Sequence, residues 1–231
     1  MKEPMMHIES ADISNTLIGK AFESLRADII ASNLKPGEKL RIAQLRERYG
    51  IGTSPLREAL SRLVSEGLVT AKGQRGFWVP PMSPEENEDI VQTRTVLETY
   101  ALRSSIELGD GAWEAGVVGA YHNLKRIEQR FGDDPEGSFD EWWDRNRLYH
   151  EALSAACPLK WLARFHHVIF DLHNRYRRQS TNGRNISRAL FEDHRMIMEA
   201  ALDRDADRAV SCLETHIRRK PDSRGGKEGR E

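Results

Sequence analysis

Apolar residues recur at helical spacing along most of the chain, and strict alternation occupies only one short stretch. Ile18, Phe22, Leu25 and Ile29 predict a helix over roughly Asn15–Ser32, closed by the turn Leu34-Lys35-Pro36-Gly37-Glu38. Ile42, Leu45, Tyr49 and Ile51 mark a short amphipathic helix, Ala43 to Tyr49, ending at Gly50, where a left-handed residue makes the turn. Leu56, Leu60, Leu63 and Val64 form the stripe of the next helix. Thr53 or Ser54 caps its start, Pro55 suits its first turn and Gly67 ends it. Leu68-Val69-Thr70 and Phe77-Trp78-Val79 then alternate as two strands around the tip Lys72-Gly73-Gln74-Arg75-Gly76. Three helices and a hairpin wing make a winged helix-turn-helix, with the helix-turn-helix at about 42–61.

The prolines of Pro80-Pro81-Met82-Ser83-Pro84 forbid a continuous helix, and Ser83 with Glu86 predicts a capping box for a new one. From there the period is helical almost to the end. The expected spans are Pro84–Leu108, Trp113–Phe131, Ser138–Ala156, Pro158–Arg178, Ile186–Leu202 and Ala206–Arg219. Strand signals are absent, so this half reads as an all-α antiparallel helical bundle and the chain as mainly α. The expected organisation is a flexible N-terminus (1–13), a DNA-binding domain (14–80), a linker (81–83), a helical effector-binding and dimerisation domain (84–219) and a disordered tail (220–231).

Charge sharpens the first half. The chain has 35 Lys and Arg against 36 Asp and Glu. Residues 1–80 nevertheless hold 12 basic and 9 acidic side chains, so the basic excess belongs to the N-terminal part. Arg41, Arg46, Arg48, Arg57, Lys72 and Arg75 cluster around the motif, as phosphate contact requires. Thr53, Ser54 and Arg57 at the recognition-helix start are the expected base or phosphate contacts, with Arg41 beside them and Gln74 and Arg75 on the wing. The partner this implies is double-stranded operator DNA, read as two half-sites by a homodimer. Cys157 and Cys212 have no metal-finger or CxxC spacing, no apolar run spans a bilayer and no secretory signal precedes the first helix, which predicts a cytoplasmic protein without a membrane partner.

In the bundle, polar side chains stand where the period calls for apolar ones. Arg94 lies in the stripe Ile90, Arg94, Leu97, Ala101; His194 follows Leu190 and precedes Ile197; His216 sits among Cys212, Leu213 and Ile217. Inward polar groups need partners. Asn146 and His150 are one turn apart on another helix. His194 lies about ten residues before the turn at Arg204-Asp205 and His216 about eleven after it, so both rise about 15 Å along an antiparallel pair. Three imidazoles and an amide oxygen at one level suit a divalent transition metal such as zinc or nickel. An inward Arg94 suits a carboxylate, with Glu98 on the next turn as the competing partner, and Tyr176 and Arg178 could add a second anion contact. His7, His122, His166, His167 and His173 carry no comparable argument.

Leu34-Lys35-Pro36-Gly37-Glu38-Lys39-Leu40, Pro55-Leu56-Arg57-Glu58-Ala59-Leu60, Glu66-Gly67-Leu68-Val69 and Arg75-Gly76-Phe77-Trp78-Val79 together resemble the GntR family of bacterial repressors. The family's usual Ser-Arg-Thr-Pro is Gly52-Thr53-Ser54-Pro55 here, which implies a different operator. Arg94 with Glu98, Asn146 to His150, Glu192-Asp193-His194-Arg195 and His216 resemble the FCD effector domain of the FadR-type subfamily, which binds small organic acids, often over a metal. Many members have Asp where this chain has Asn146, and an amide is the weaker, neutral ligand. Gly109 to Ala115 and Phe170 to Arg178 are similar to the CsiR-type, glutarate-responsive branch. The resemblance implies a repressor controlled by a small carboxylate, glutarate being one candidate, and no enzyme. The competing reading is a metal-dependent enzyme that uses His150, His194 and His216 to activate water.

Overall fold

The computed structural model describes residues 16–131, 135–181 and 188–219, without the side chains of Gln74, Pro135, Glu136, Ser180 and Thr181. The flexible N-terminus expected at 1–13 and the tail expected at 220–231 lie outside the described residues. Cα packing divides the chain into two compact units that meet between Met82 and Ser83.

In the first unit, α1 (Leu17–Ile30) begins at Thr16, whose hydroxyl accepts from the Gly19 amide at 3.0 Å. It packs on α3 (Thr53–Ser65), with α2 (Ile42–Tyr49) against α3's other flank. Ala21, Leu25 and Ile29 of α1, Leu45 of α2, and Leu56, Leu60 and Leu63 of α3 are buried together with Leu34, Leu68 and Val79. Truncating such a leucine to alanine costs about 2–5 kcal/mol. Gly50 ends α2 with φ 65°, a left-handed conformation that a β-carbon would strain. The start of α3 differs from expectation. Gly52, extended at φ −64° and ψ 163°, is the N-cap and no side chain caps the helix; Thr53 and Ser54 are already helical, so their hydroxyls stand exposed on its first turn.

The wing has three strands rather than two. β2 (Thr70–Ala71) and β3 (Phe77–Trp78) are joined by β1 (Lys39–Leu40), in the antiparallel order β1-β3-β2. Trp78 is the common partner of Lys39 and Thr70. The expected strand at Leu68-Val69 is shortened because both amides donate to the Leu63 carbonyl, at 3.1 and 3.3 Å, and so finish α3 instead. A 3-10 turn (Gly73–Arg75) and Gly76 at φ 110° form the tip.

The second unit holds six helices and, among the described residues, no strand: α4 (Pro84–Leu108), α5 (Gly111–Phe131), α6 (Pro135–Leu153), α7 (Lys160–Thr181), α8 (Arg188–Leu202) and α9 (Ala206–Arg218). Ser83 caps α4 by accepting from the Glu86 amide at 3.1 Å, while the Glu86 carboxylate meets the Tyr176 hydroxyl instead of closing the box. Asp110 caps α5, and Asp205 caps α9. α6 stops three residues before the expected Ala156 because Ser154 and Ala155 donate to carbonyls three residues back, at 3.2 Å each, in a tightened turn. The start expected for α8 at Ile186 lies outside the described residues. α5 packs on α6 and α8, α9 on α8 and α4, and α7 on α4. Trp113, Leu124 and Phe131 of α5, Trp142 and Tyr149 of α6, and Ile197, Leu213 and Ile217 of α8 and α9 form one continuous core. No helix of the described residues is long and apolar enough to cross a membrane.

Candidate functional site

In the first unit, Lys39, Arg41, Arg57 and Arg75 converge on one groove of about 330 Å³, whose lining contains no acidic side chain. Three elements deliver them. Arg41 precedes α2 directly, Arg57 projects from the first turns of α3, and Arg75 stands on the wing. The structure thus brings Arg41, Arg57 and Arg75 together and adds Lys39, which the sequence does not single out because a two-residue strand leaves no alternation. Thr53 and Ser54 are exposed at the start of α3; the side chain of Gln74 lies outside the described residues. Lys39 and Lys72 both place their ammonium groups over the Trp78 ring, 5.0 and 5.3 Å from its centroid. Arg48, by contrast, is ion-paired with Asp28 at 2.7 Å, so its charge is answered within the first unit.

In the second unit, His150 of α6, His194 of α8 and His216 of α9 are all buried, with one nitrogen from each ring within 4.8 Å of the others. The His194 and His216 ring centroids are 4.5 Å apart, as the equal rise from their shared turn requires. His150 Nδ1 donates to Glu98 Oε2 and His194 Nδ1 donates to Glu128 Oε1, both at 2.7 Å. Those carboxylates fix the tautomer and leave an unprotonated Nε2 on each ring. Neither Nε2 has a hydrogen-bond partner, nor does His216 Nδ1, which stands 3.6 Å from Asp193 Oδ2. Asn146 is buried too, and its Oδ1 is likewise unbonded. Buried lone pairs without donors are costly, and three clustered imidazoles, with the Asn146 amide one helical turn from His150, are donors of the kind a divalent ion satisfies.

Behind these donors lies a charged network that the sequence shows only in part. Glu98 of α4 is 1% exposed and accepts from Arg94 Nε at 2.5 Å, His150 Nδ1 at 2.7 Å and His166 Nε2 at 2.9 Å. Burial alone would raise its carboxyl, but Arg94, His150 and His166 outweigh that and hold it well below the usual range. Arg94 packs its guanidinium 4.3 Å from the Phe170 ring centroid and donates through Nη1 to His173 Nδ1 at 2.6 Å. Glu98, a competing partner in the sequence, is therefore the hub of the network. His166 and His173, which carried no argument, are buried members of it. Their signal is the stripe His166, Phe170, His173, Arg177 on α7, visible once the phase of that helix is known.

Tyr176 and Arg178 bracket the inward position. Tyr176 accepts from the Ser83 amide at 3.2 Å and donates to Glu86, while Arg178 pairs with Asp140 at 2.7 Å and covers Phe139 and Trp143. Between them Arg177 is buried and donates to the backbone carbonyl oxygens of His216 and Arg219. Burial and then Arg94 push its guanidinium down to about 9, against the pull of Asp193. A buried cation so destabilised favours a nearby anion. The imidazoles follow the same logic. Burial, opposed by Glu98, lowers His150 to about 4, and burial followed by neighbouring cations and imidazoles puts His173 and His216 well below their ordinary value. All three are neutral near pH 7, the form that binds metals.

Known proteins match both units. The sequence profile described as "Bacterial regulatory proteins, gntR family" matches residues 17–79, and that of the FCD domain matches residues 89–219. The HTH-type transcriptional regulator BphR of Paraburkholderia xenovorans (strain LB400) is 41% identical, over 87% of this chain and 82% of its own. The HTH-type transcriptional repressor GlaR of Escherichia coli (strain K12) is 38% identical, over 84% and 89%. The solved structure of E. coli McbR/YncC shares the fold with a TM-score of 0.71 at 21% identity, covering 87% of this chain and 93% of that one.

Proposed function

Because the chain belongs to the GntR family of bacterial regulatory proteins, with a C-terminal FCD domain, it is a DNA-binding transcriptional regulator, and we propose that it is a repressor whose hold on operator DNA is set by a small carboxylate. This membership sets aside the metal-dependent enzyme. A dicarboxylate such as glutarate is the effector class we favour. The observation that carries the reading is the set of four unbonded, buried donor atoms on Asn146, His150, His194 and His216, with the buried guanidinium groups of Arg94 and Arg177 in the surrounding network.

In the proposed DNA complex, Thr53, Ser54 and Arg57 at the start of α3 meet base edges or the nearest phosphates. Arg41 and Lys39 meet the backbone, and Gln74 and Arg75 on the wing reach the adjacent groove. A homodimer supplies two such heads for an inverted repeat. Val96 and Tyr100 on α4 and the stacked Trp161 and Phe165 on α7 are large apolar side chains left exposed, and they support a second copy as their cover. That the similar GlaR is a transcriptional repressor supports the direction of control.

Asn146, His150, His194 and His216 would hold a divalent transition metal, zinc or nickel by donor type. Such an ion, when bound, supplies a fixed positive charge against which a carboxylate is held. The protein's own contribution is orientation. Glu98 and Glu128 hold His150 and His194 in the tautomer that presents Nε2, and Arg94 and Arg177 favour the anion by their buried charge. A thermal-shift screen of metal-loaded protein against small carboxylates, with mass spectrometry of what copurifies, tests this. An effector at about a hundred times its Kd raises Tm by about 5–10 °C. No shift with any acid removes the carboxylate from the account.

A further inference from the structure

The histidine site is short of negative charge. Its four donors, three imidazoles and the Asn146 amide, are neutral when they hold a metal, so they offset none of a dication's charge. The groups behind them do not offset it either. Glu98, Glu128 and Asp193 stand against the three imidazoles, but three guanidinium groups around them match these carboxylates in number. Arg94 donates to Glu98, Arg219 takes both Asp193 oxygens at 2.7 and 2.8 Å, and the buried Arg177 adds a third guanidinium beside His216. A divalent ion placed among them therefore brings its charge into a buried site whose fixed charges already cancel in number, which is costly there.

We propose that Asn146 makes metal retention conditional on the effector: the neutral amide leaves the ion's charge open, and a bound dicarboxylate closes it. This rests on the regulator reading above and deepens it. The device makes the two ligands strongly cooperative, since each removes the electrostatic penalty of the other. It also selects for charge. A dianion compensates a dication fully and a monoanion by half, so short dicarboxylates bind in preference to acetate-like acids, and metal-free protein binds neither tightly. With an aspartate at 146 the protein itself would supply one negative charge, and metal would stay whether or not an acid is present.

The test is a zinc titration of full-length, metal-stripped protein against a chromophoric chelator, in acid-free buffer, in excess glutarate, in excess succinate and in excess acetate, for wild type, Asn146→Asp and Asn146→Ser. Wild type and Asn146→Ser, both with neutral donors, should bind zinc about tenfold or more tightly with a dicarboxylate than without, a difference of about 1.4 kcal/mol, and acetate should do less. Asn146→Asp should bind zinc about tenfold or more tightly than wild type in acid-free buffer, and gain little from either acid. Far-UV circular dichroism checks that the variants are folded; if Asn146→Asp is not, the wild-type titrations decide alone. Zinc affinity in wild type that is the same with and without dicarboxylate, or acid dependence lost equally in Asn146→Ser, overturns the proposal while leaving the metal site standing. No zinc binding by any variant in any buffer overturns the metal site itself.

Discussion

Replacing Glu98 by glutamine exchanges one oxygen for an NH₂ group and perturbs the whole histidine site. The carboxylate is buried and accepts three hydrogen bonds, from Arg94, His150 and His166. A glutamine has one acceptor oxygen, and its NH₂ group must face at least one of those donors. Breaking a buried ion pair by removing one partner costs about 3–5 kcal/mol, because the remaining charge is left uncompensated. Here that charge is Arg94, and its nearest alternatives are the neutral rings of His173 and His150, at 2.6 and 3.4 Å. Glu98→Gln should therefore lower the urea unfolding free energy by about 3–5 kcal/mol at equal protomer concentration, with an unchanged slope. The second effect is on the metal. His150 loses the carboxylate that fixes its tautomer, and loss of such a partner weakens metal affinity by about 10–100-fold. Zinc titration of the folded variant reads this separately from stability. A loss below about 1 kcal/mol would refute the buried-pair argument; unchanged zinc affinity would show that Glu98 braces the fold without orienting His150.

Three further outcomes follow from the same contacts. Arg57→Ala should abolish operator binding while leaving zinc affinity and Tm unchanged, since Arg57 is an exposed side chain that lines the basic groove of the first unit; electrophoretic mobility shift and thermal unfolding check the two halves. His194→Ala should reverse the pattern, removing metal and ligand stabilisation but keeping ligand-independent DNA binding; loss of both activities in either variant would indicate misfolding. Metal-free protein should lose stability as pH falls from 6.5 to about 4, because over that window the unfolded chain protonates His150 and the folded one does not. His150 alone contributes about 3 kcal/mol to the loss, and a urea midpoint that is level between pH 7 and pH 5 would contradict it.

Local chemistry made most of the architecture readable. Gly50, Gly67 and the prolines at 80, 81 and 84 act through their own backbone preferences, so the turns they impose are visible without any partner. The amphipathic stripes likewise place α1, α2 and α3 and all six helices of the bundle. His194 and His216 could be paired because one short turn joins their helices and fixes their levels. What stayed hidden depends on distant partners. Strand β1 exists only because Trp78 pairs with Lys39, and two residues cannot display an alternation. The N-cap of α3 is Gly52 because its extended backbone ends the preceding turn, which the neighbouring Thr53 and Ser54 conceal. Glu128, lodged among Leu124, Ile127 and Phe131, reads as an ordinary helix-surface acid until His194 arrives from another helix. That Arg177 is buried between Tyr176 and Arg178 depends on the rotation of α7, which its packing against α4 sets and its sequence alone does not.

In the proposed regulator, one small anion held in the helical unit governs the grip of the winged helix on DNA. The direct measurement is the Kd of the metal-loaded protein for a duplex it selects from random sequence, by fluorescence anisotropy at fixed salt, with and without saturating carboxylates, glutarate and succinate first. Coupling of the usual size predicts a weakening of about 5–150-fold, and an equal loss of carboxylate affinity in the DNA-bound protein. A Kd that stays the same across the whole series of acids, with zinc present and bound, would contradict the account.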